Sequence, residues 1–222
     1  MATPGYLCSL GITGATTAFT TEAFTNLSTD VWQITSTARR IWNPGVTVDF
    51  FDNAVPIDPA DIESINYLFG IVTFISSTAF AGPITATGAY FPILTLTESH
   101  YFTLVVSRDM LDDTVFGDTA HSRQGTIIDA VGELQIYDYF ETDYDAGGGT
   151  VKLSTMWAAE TPFVLTFNMN AANTIQYRVL AIITDLELSA GVGDLLEGTV
   201  SWEAQPTQDA EGNPVHFAYV EA

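Results

Sequence analysis

At 222 residues, with 47% hydrophobic and 15% charged residues, the chain is long enough for one sizeable core and too apolar to be disordered. Its 27 acids against 6 Lys and Arg give a formal charge of −21, which excludes the basic patch of a conventional nucleic-acid binder and disfavours anionic membrane surfaces. The single cysteine, Cys8, permits no intrachain disulfide and is expected as a small buried hydrophobe.

Taken in chain order, the start Met-Ala-Thr-Pro-Gly-Tyr has neither a basic n-region nor a long apolar h-region, so no secretory signal is expected. Short runs rich in Thr, Val, Ile, Tyr and Phe, separated by Gly, Pro, Asn and Asp, then predict strands at Val31 to Thr35, Val46 to Phe51, Ile62 to Phe74, Ile84 to Tyr90 and His100 to Ser107. The most apolar run, Tyr67 to Ile75, is too short to span a bilayer. Further strands are predicted at Val131 to Tyr139, Phe163 to Asn168, Gln176 to Ser189 and Leu196 to Glu203, with a short turn at Asp118 to Gln124 and a last short strand at His216 to Val220. One helix is predicted from about Thr150 to Ala159, where Val151, Leu153, Met156 and Trp157 approximate one face and Pro162 closes the segment. The fold class is therefore mainly β, an antiparallel β-sandwich or partial barrel with one packed α-helix, in a single domain over 1–222 with 206–222 as a candidate C-terminal arm.

Two strands divide cleanly into faces. Asp185, Glu187 and Ser189 point one way and Leu186 and Leu188 the other; Glu197, Thr199, Ser201 and Glu203 oppose Val200 and Trp202. A hairpin through Ala190 to Leu195 would gather the acids on one sheet face, although any half-buried antiparallel sheet has a wet face. Catalytic signatures are missing. His100, His121 and His216 lie far apart without zinc spacing, and no nucleophile elbow, P-loop or dinucleotide fingerprint is present. Paired carboxylates such as Glu133, Asp138 and Glu141 are unavoidable among so many acids, and Asp109, Asp112, Asp113 and Asp118 lack calcium-loop spacing. No catalytic residue, metal or cofactor is expected, and the four tryptophans are expected in the core.

The segment Asp109 to Glu141 runs through a dense acidic turn, Phe116-Gly117-Asp118-Thr119, a Gly-containing loop and a strand beginning near Val131. Asp112 to Thr119 and Gly132 to Leu134 resemble the middle of siphophage-type major tail tube proteins. Other phrases resemble that family in the same order: Thr20 to Ala23, Trp32 to Ile34, Ala38 to Pro44, Ile65 to Phe74, Gly191 to Leu195 and Val200 to Trp202. The residues from Pro206 to Ala222 match nothing in it.

The resemblance implies a structural virion protein, made in the host cytoplasm, that forms stacked, generally hexameric rings around a tape-measure protein. Strands of neighbouring subunits would complete an inner β-barrel through which double-stranded DNA passes without tight or specific binding. Tail terminator and distal tail proteins are the further partners implied, and no membrane is. Lumen-lining candidates are Glu133, Glu141, Asp185, Glu187, Glu197 and Glu203; inter-subunit contact candidates are Phe80, Pro83, Tyr90, Phe91, Asp112, Asp113 and Phe116. The alternative is a monomeric acidic β-sandwich binding module, such as a decoration protein or a carbohydrate- or protein-binding adhesin domain.

Overall fold

Alternating β-branched and aromatic residues, broken by Gly, Pro, Asn and Asp, set up strands along nearly the whole chain. In the structure, a computed structural model, the described residues are 9–13, 16–76, 78–95, 99–112, 123–137, 144–145, 150–151, 153–169, 175–189, 197–205, 207, 215 and 217–221. In chain order they form β1 (Ser9–Thr13), β2 (Thr17–Ser28), β3 (Val31–Ile34), β4 (Asp49–Asp52), β5 (Val55–Pro56), β6 (Ile62–Asn66), β7 (Ile71–Phe74), β8 (Ile84–Tyr90) and β9 (Ile93–Thr95). There follow β10 (Ser99–Phe102), β11 (Val105–Asp112), β12 (Arg123–Tyr137), β13 (Tyr144–Asp145), β14 (Thr150–Val151), α1 (Leu153–Ala158), β15 (Phe163–Asn168), β16 (Ile175–Ser189), β17 (Glu197–Ala204) and β18 (Phe217–Glu221).

Two large antiparallel sheets curl into half-barrels, as the mainly β sandwich or partial barrel requires. The nine-stranded sheet runs β10-β12-β17-β16-β15-β1-β9, with β11 also on β12 and β18 also on β16; the seven-stranded sheet runs β5-β4-β8-β2-β3-β7-β6. Inside the first curl, Leu134, Ile136, Phe163, Leu165, Phe167, Val179, Val200 and Trp202 pack around Leu153 and Met156 of α1. The second curl is aromatic: Trp42 is surrounded by Phe19, Phe24, Phe50 and Tyr67, and Phe50 continues through Phe74 to Phe80. A third cluster packs Val164 of β15 and Leu180 of β16 against Ile41, Leu68, Phe69 and Phe91, which lie in the connections of the seven-stranded sheet's strands and the β8–β9 link. β1 is tied in by Thr13, whose buried hydroxyl oxygen accepts the Val164 N–H at 2.6 Å.

Several expectations change. The strand expected at Ile62 to Phe74 is two strands, β6 and β7, because Gly70 takes φ +60° and reverses the chain; a Cβ there would lie 2.9 Å from Ile34 Cγ2 and 3.0 Å from the Arg40 carbonyl oxygen. The strand expected at His100 to Ser107 divides into β10 and β11. That expected at Val131 begins at Arg123, and the one expected at Val46 begins at Asp49. The helix is only six residues long, Val151 belongs to β14, and Trp157 is 47% exposed and outside the core. The strand near the C-terminus pairs with β16 of its own chain, Tyr177 opposite Tyr219. Cys8, His121, His216 and the joining residues Ala190 to Leu195 lie outside the described residues, as do residues 118–122 of the expected turn.

Candidate functional site: the acidic sheet face

The hairpin expected from alternation forms. β16 and β17 pair with Asp185 opposite Ser201, Leu186 opposite Val200, Glu187 opposite Thr199 and Ser189 opposite Glu197. On the other edge of β17, β12 places Glu133 opposite Ser201, Gln135 opposite Thr199 and Val131 opposite Glu203. Residues directly opposite one another share a face, so Glu133, Ser201 and Asp185 form one row and Gln135, Thr199 and Glu187 the next. A register shift between Ile183 and Asp185 re-aims the strand. Before it Val179, Ala181 and Ile183 enter the core; after it Leu186 packs there while Asp185 and Glu187 are exposed.

Glu133, Asp185, Glu187 and Glu203 are thus exposed carboxylates on one face of three adjacent strands. Glu197 opens β17, opposite Ser189 of β16 and Tyr137 of β12. No two of these acids stand directly opposite, because Ser201 and Thr199 intervene. Like charges directly across a ladder would destabilise it; Glu133 and Asp185 are instead two strand spacings apart, about 10 Å, while Asp185 and Glu187 along one strand and Glu203 on the diagonals stand about 7–8 Å apart, close to the screening length of roughly 8 Å at physiological ionic strength. The face is therefore strongly negative yet tolerable to the fold. Asp185 also braces itself, its Oδ1 accepting the Leu186 N–H at 2.9 Å.

Asp129 is a residue that sequence reasoning missed. It lies two positions before Val131 on the same side of β12, opposite Ser107 of β11, and its Oδ1 accepts the Ala130 N–H at 2.8 Å. Extending the period-two pattern of β12 back to Arg123 would have found it. Next to the acids, Tyr101, Val105 and Val131 form an exposed fringe on that face, with Tyr101 opposite Gln135 and Val105 opposite Val131.

The remaining candidates are dispersed. Glu141, Asp113 and Phe116 lie outside the described residues, and Asp112 ends β11 opposite Arg123. Phe80 is half-buried against Trp32 and Phe74, Tyr90 is half-buried beside Phe19 and Arg39, and Pro83 is exposed. Phe91, 7% exposed, belongs to the third cluster, so its ring is committed within its own chain.

One cleft of about 480 Å³ is lined by Asn43, Phe91, Thr161, Leu180 and Gln205, and another of about 780 Å³ by Phe50, Pro56, Ile57, Ile62 and Tyr67; among the described residues lining these two, Asp49 is the single carboxylate. Among the described residues no group of three or more His, Cys, Asp or Glu could hold a metal ion, and no helix is long and apolar enough to cross a membrane.

No protein-family model matches the chain, and no curated protein does. Among solved structures, the chain is similar to one described as the hybrid structure of the SPP1 tail tube by solid-state NMR and cryo-EM. The TM-score is 0.37 and the identity 13%, with 82% of this chain and 80% of that one covered.

Proposed function

We propose that the chain is a structural, non-enzymatic subunit of a phage tail tube, and that the acidic face of β12, β17 and β16 lines its bore. The observation that carries this reading is the ordered row of exposed carboxylates on three adjacent strands, joined to the ordered family phrases along the sequence. A duplex presents one negative charge per roughly 1.7 Å of its axis, so Lys or Arg in a bore would hold it through phosphate contacts. Carboxylates spaced by Ser and Thr offer no such contact, and DNA slides. Subunits assemble into stacked rings, hexameric as the family resemblance implies, around a tape-measure protein, with terminator and distal tail proteins at the ends. Tyr101, Val105 and Val131, exposed on the same face, border it at β10 and β11, where strands of a neighbouring subunit would add, and closing the sheet into a shared barrel removes its free edges. The subunit is a virion component made in the host cytoplasm.

Replacing Glu133, Asp185, Glu187 and Glu203 together by Lys should slow DNA ejection from particles whose tubes still assemble. Ejection at the wild-type rate from such particles would remove these acids from the bore. The competing reading is a monomeric acidic binding module. Trp157, exposed on α1, is the observation in its favour, since glycan sites present exposed aromatic rings. Glycan binding by a stable monomer, lost on Trp157→Ala, would establish it.

A further inference from the structure

The outer face of the nine-stranded sheet changes character along β16. Beyond the register shift it is acidic and open; before it, the third cluster covers it and Arg178 is only 4% exposed. The Arg178 guanidinium stacks 4.3 Å from the centre of the Phe69 ring, donates from Nη1 to the Leu68 carbonyl oxygen and from Nη2 to Gln176 Oε1 at 3.2 Å. Its Nε–H is buried without a partner. Arg40, in the connection between β3 and β4, lies against the same segment through its backbone, its carbonyl oxygen 3.0 Å and its Cα 3.1 Å from where a Cβ on Gly70 would stand; its own Nε is buried without a partner and its side chain is half-exposed. The two charges repel, and burial with that repulsion pushes the Arg178 pKa down to about 9.

This is an unusual economy for a chain with 27 acids and 6 cations. Among the described residues the ion pair is between Arg39 and Glu22, while neither Arg40 nor Arg178 meets a carboxylate. Two guanidinium groups near enough to repel, each with a buried N–H that has no acceptor and neither facing a carboxylate among the described residues, are costly in isolation. An oxyanion offsets that cost, because guanidinium forks match the oxygens of carboxylate or phosphate and form charge-assisted hydrogen bonds.

We propose that Arg40 and Arg178 form a recessed oxyanion site, entered from the half-exposed side of Arg40. The ligand is either a free inorganic oxyanion or a carboxylate brought by a second copy of the chain. The site does not depend on the tail tube reading.

The test is thermal unfolding of the full chain at fixed ionic strength, with inorganic phosphate replacing chloride, at low and high protein concentration, for wild type, Arg40→Gln and Arg178→Met. A free-oxyanion site predicts a saturating rise in wild-type Tm at low protein concentration, roughly 5–10 °C at a hundredfold excess over Kd, and only a shallow common drift in the variants. A carboxylate from a second copy predicts a rise with protein concentration that phosphate competes away and Arg40→Gln abolishes. Identical responses of wild type and Arg40→Gln to both phosphate and concentration would overturn the proposal. Arg40 is half-exposed, so that comparison stands even if Arg178→Met fails to fold.

Discussion

Gly132 shows how tightly single positions are constrained near the acidic face. It pairs with Trp202, and a Cβ there would sit 2.1 Å from the Thr103 carbonyl oxygen and 2.5 Å from Trp202 Cζ2. Neither backbone nor buried indole can withdraw cheaply, so Gly132→Ala should destabilise by about 3 kcal/mol, at the upper end of ordinary overpacking. A urea midpoint equal to wild type, with unchanged slope, would show that the approach is looser than this. Arg178 makes a prediction of opposite kind. Its pKa is lowered to about 9 by burial and by Arg40, so above that pH, up to the ordinary arginine range, the unfolded chain binds more protons than the folded one. Wild-type stability should therefore rise relative to Arg178→Met as pH climbs above 9, and the difference should be flat below it. Denaturant titrations of both proteins at pH 8, 9 and 10.5 measure this directly, and parallel curves throughout would contradict it.

At the scale of elements, the β11–β12 ribbon is exceptional. Residues 131–137 of β12 are paired with β17 on one edge, whereas residues 123–130 have β11 alone as a described partner. At about 3.4 Å per residue the ribbon continues beyond β17 for roughly 25 Å. Its alternate amides should exchange quickly in the isolated subunit, unlike those of residues 177–179 of β16, which lie between β15 and β18. If a neighbouring strand joins that edge in assembled tubes, the same amides become protected; hydrogen exchange on free and assembled protein separates the two cases. The parts legible in the sequence were those with clean alternation, above all β16 and β17 with their acids and leucines segregated. β2 was missed because its Thr, Glu and Asn residues leave just Phe19 and Phe24 fully buried along twelve positions. The Gly70 reversal was read through because Asn66 and Gly70 are each a single residue of turn punctuation inside a strand-like segment, with the apolar Tyr67-Leu68-Phe69 between them. The length of β12 was concealed because its first residues, Arg123-Gln124-Gly125-Thr126, carry no alternation of apolar and polar residues. Trp157 was assigned inward from helical spacing, but a six-residue helix turns just two buried side chains, Leu153 and Met156, to the core.

For the whole molecule, charge decides the conditions of assembly. At −21 per chain, subunits repel one another before any contact forms, and salt shortens the reach of that repulsion from about 30 Å at 0.01 M to about 8 Å at 0.15 M. Assembly should thus be favoured by moderate salt as well as by concentration, while the spacing of acids by Ser and Thr lets the sheet face itself survive the charge. The central claim is that this chain is a tube subunit, and negative-stain electron microscopy of the purified protein at rising concentration, in 0.01 M and 0.15 M salt by the same scale, tests it most directly. Hollow tubes or stacked rings, more abundant at the higher salt, are the predicted result. Dispersed particles of single-subunit size at every concentration and salt would contradict it and leave the monomeric binding module as the better account.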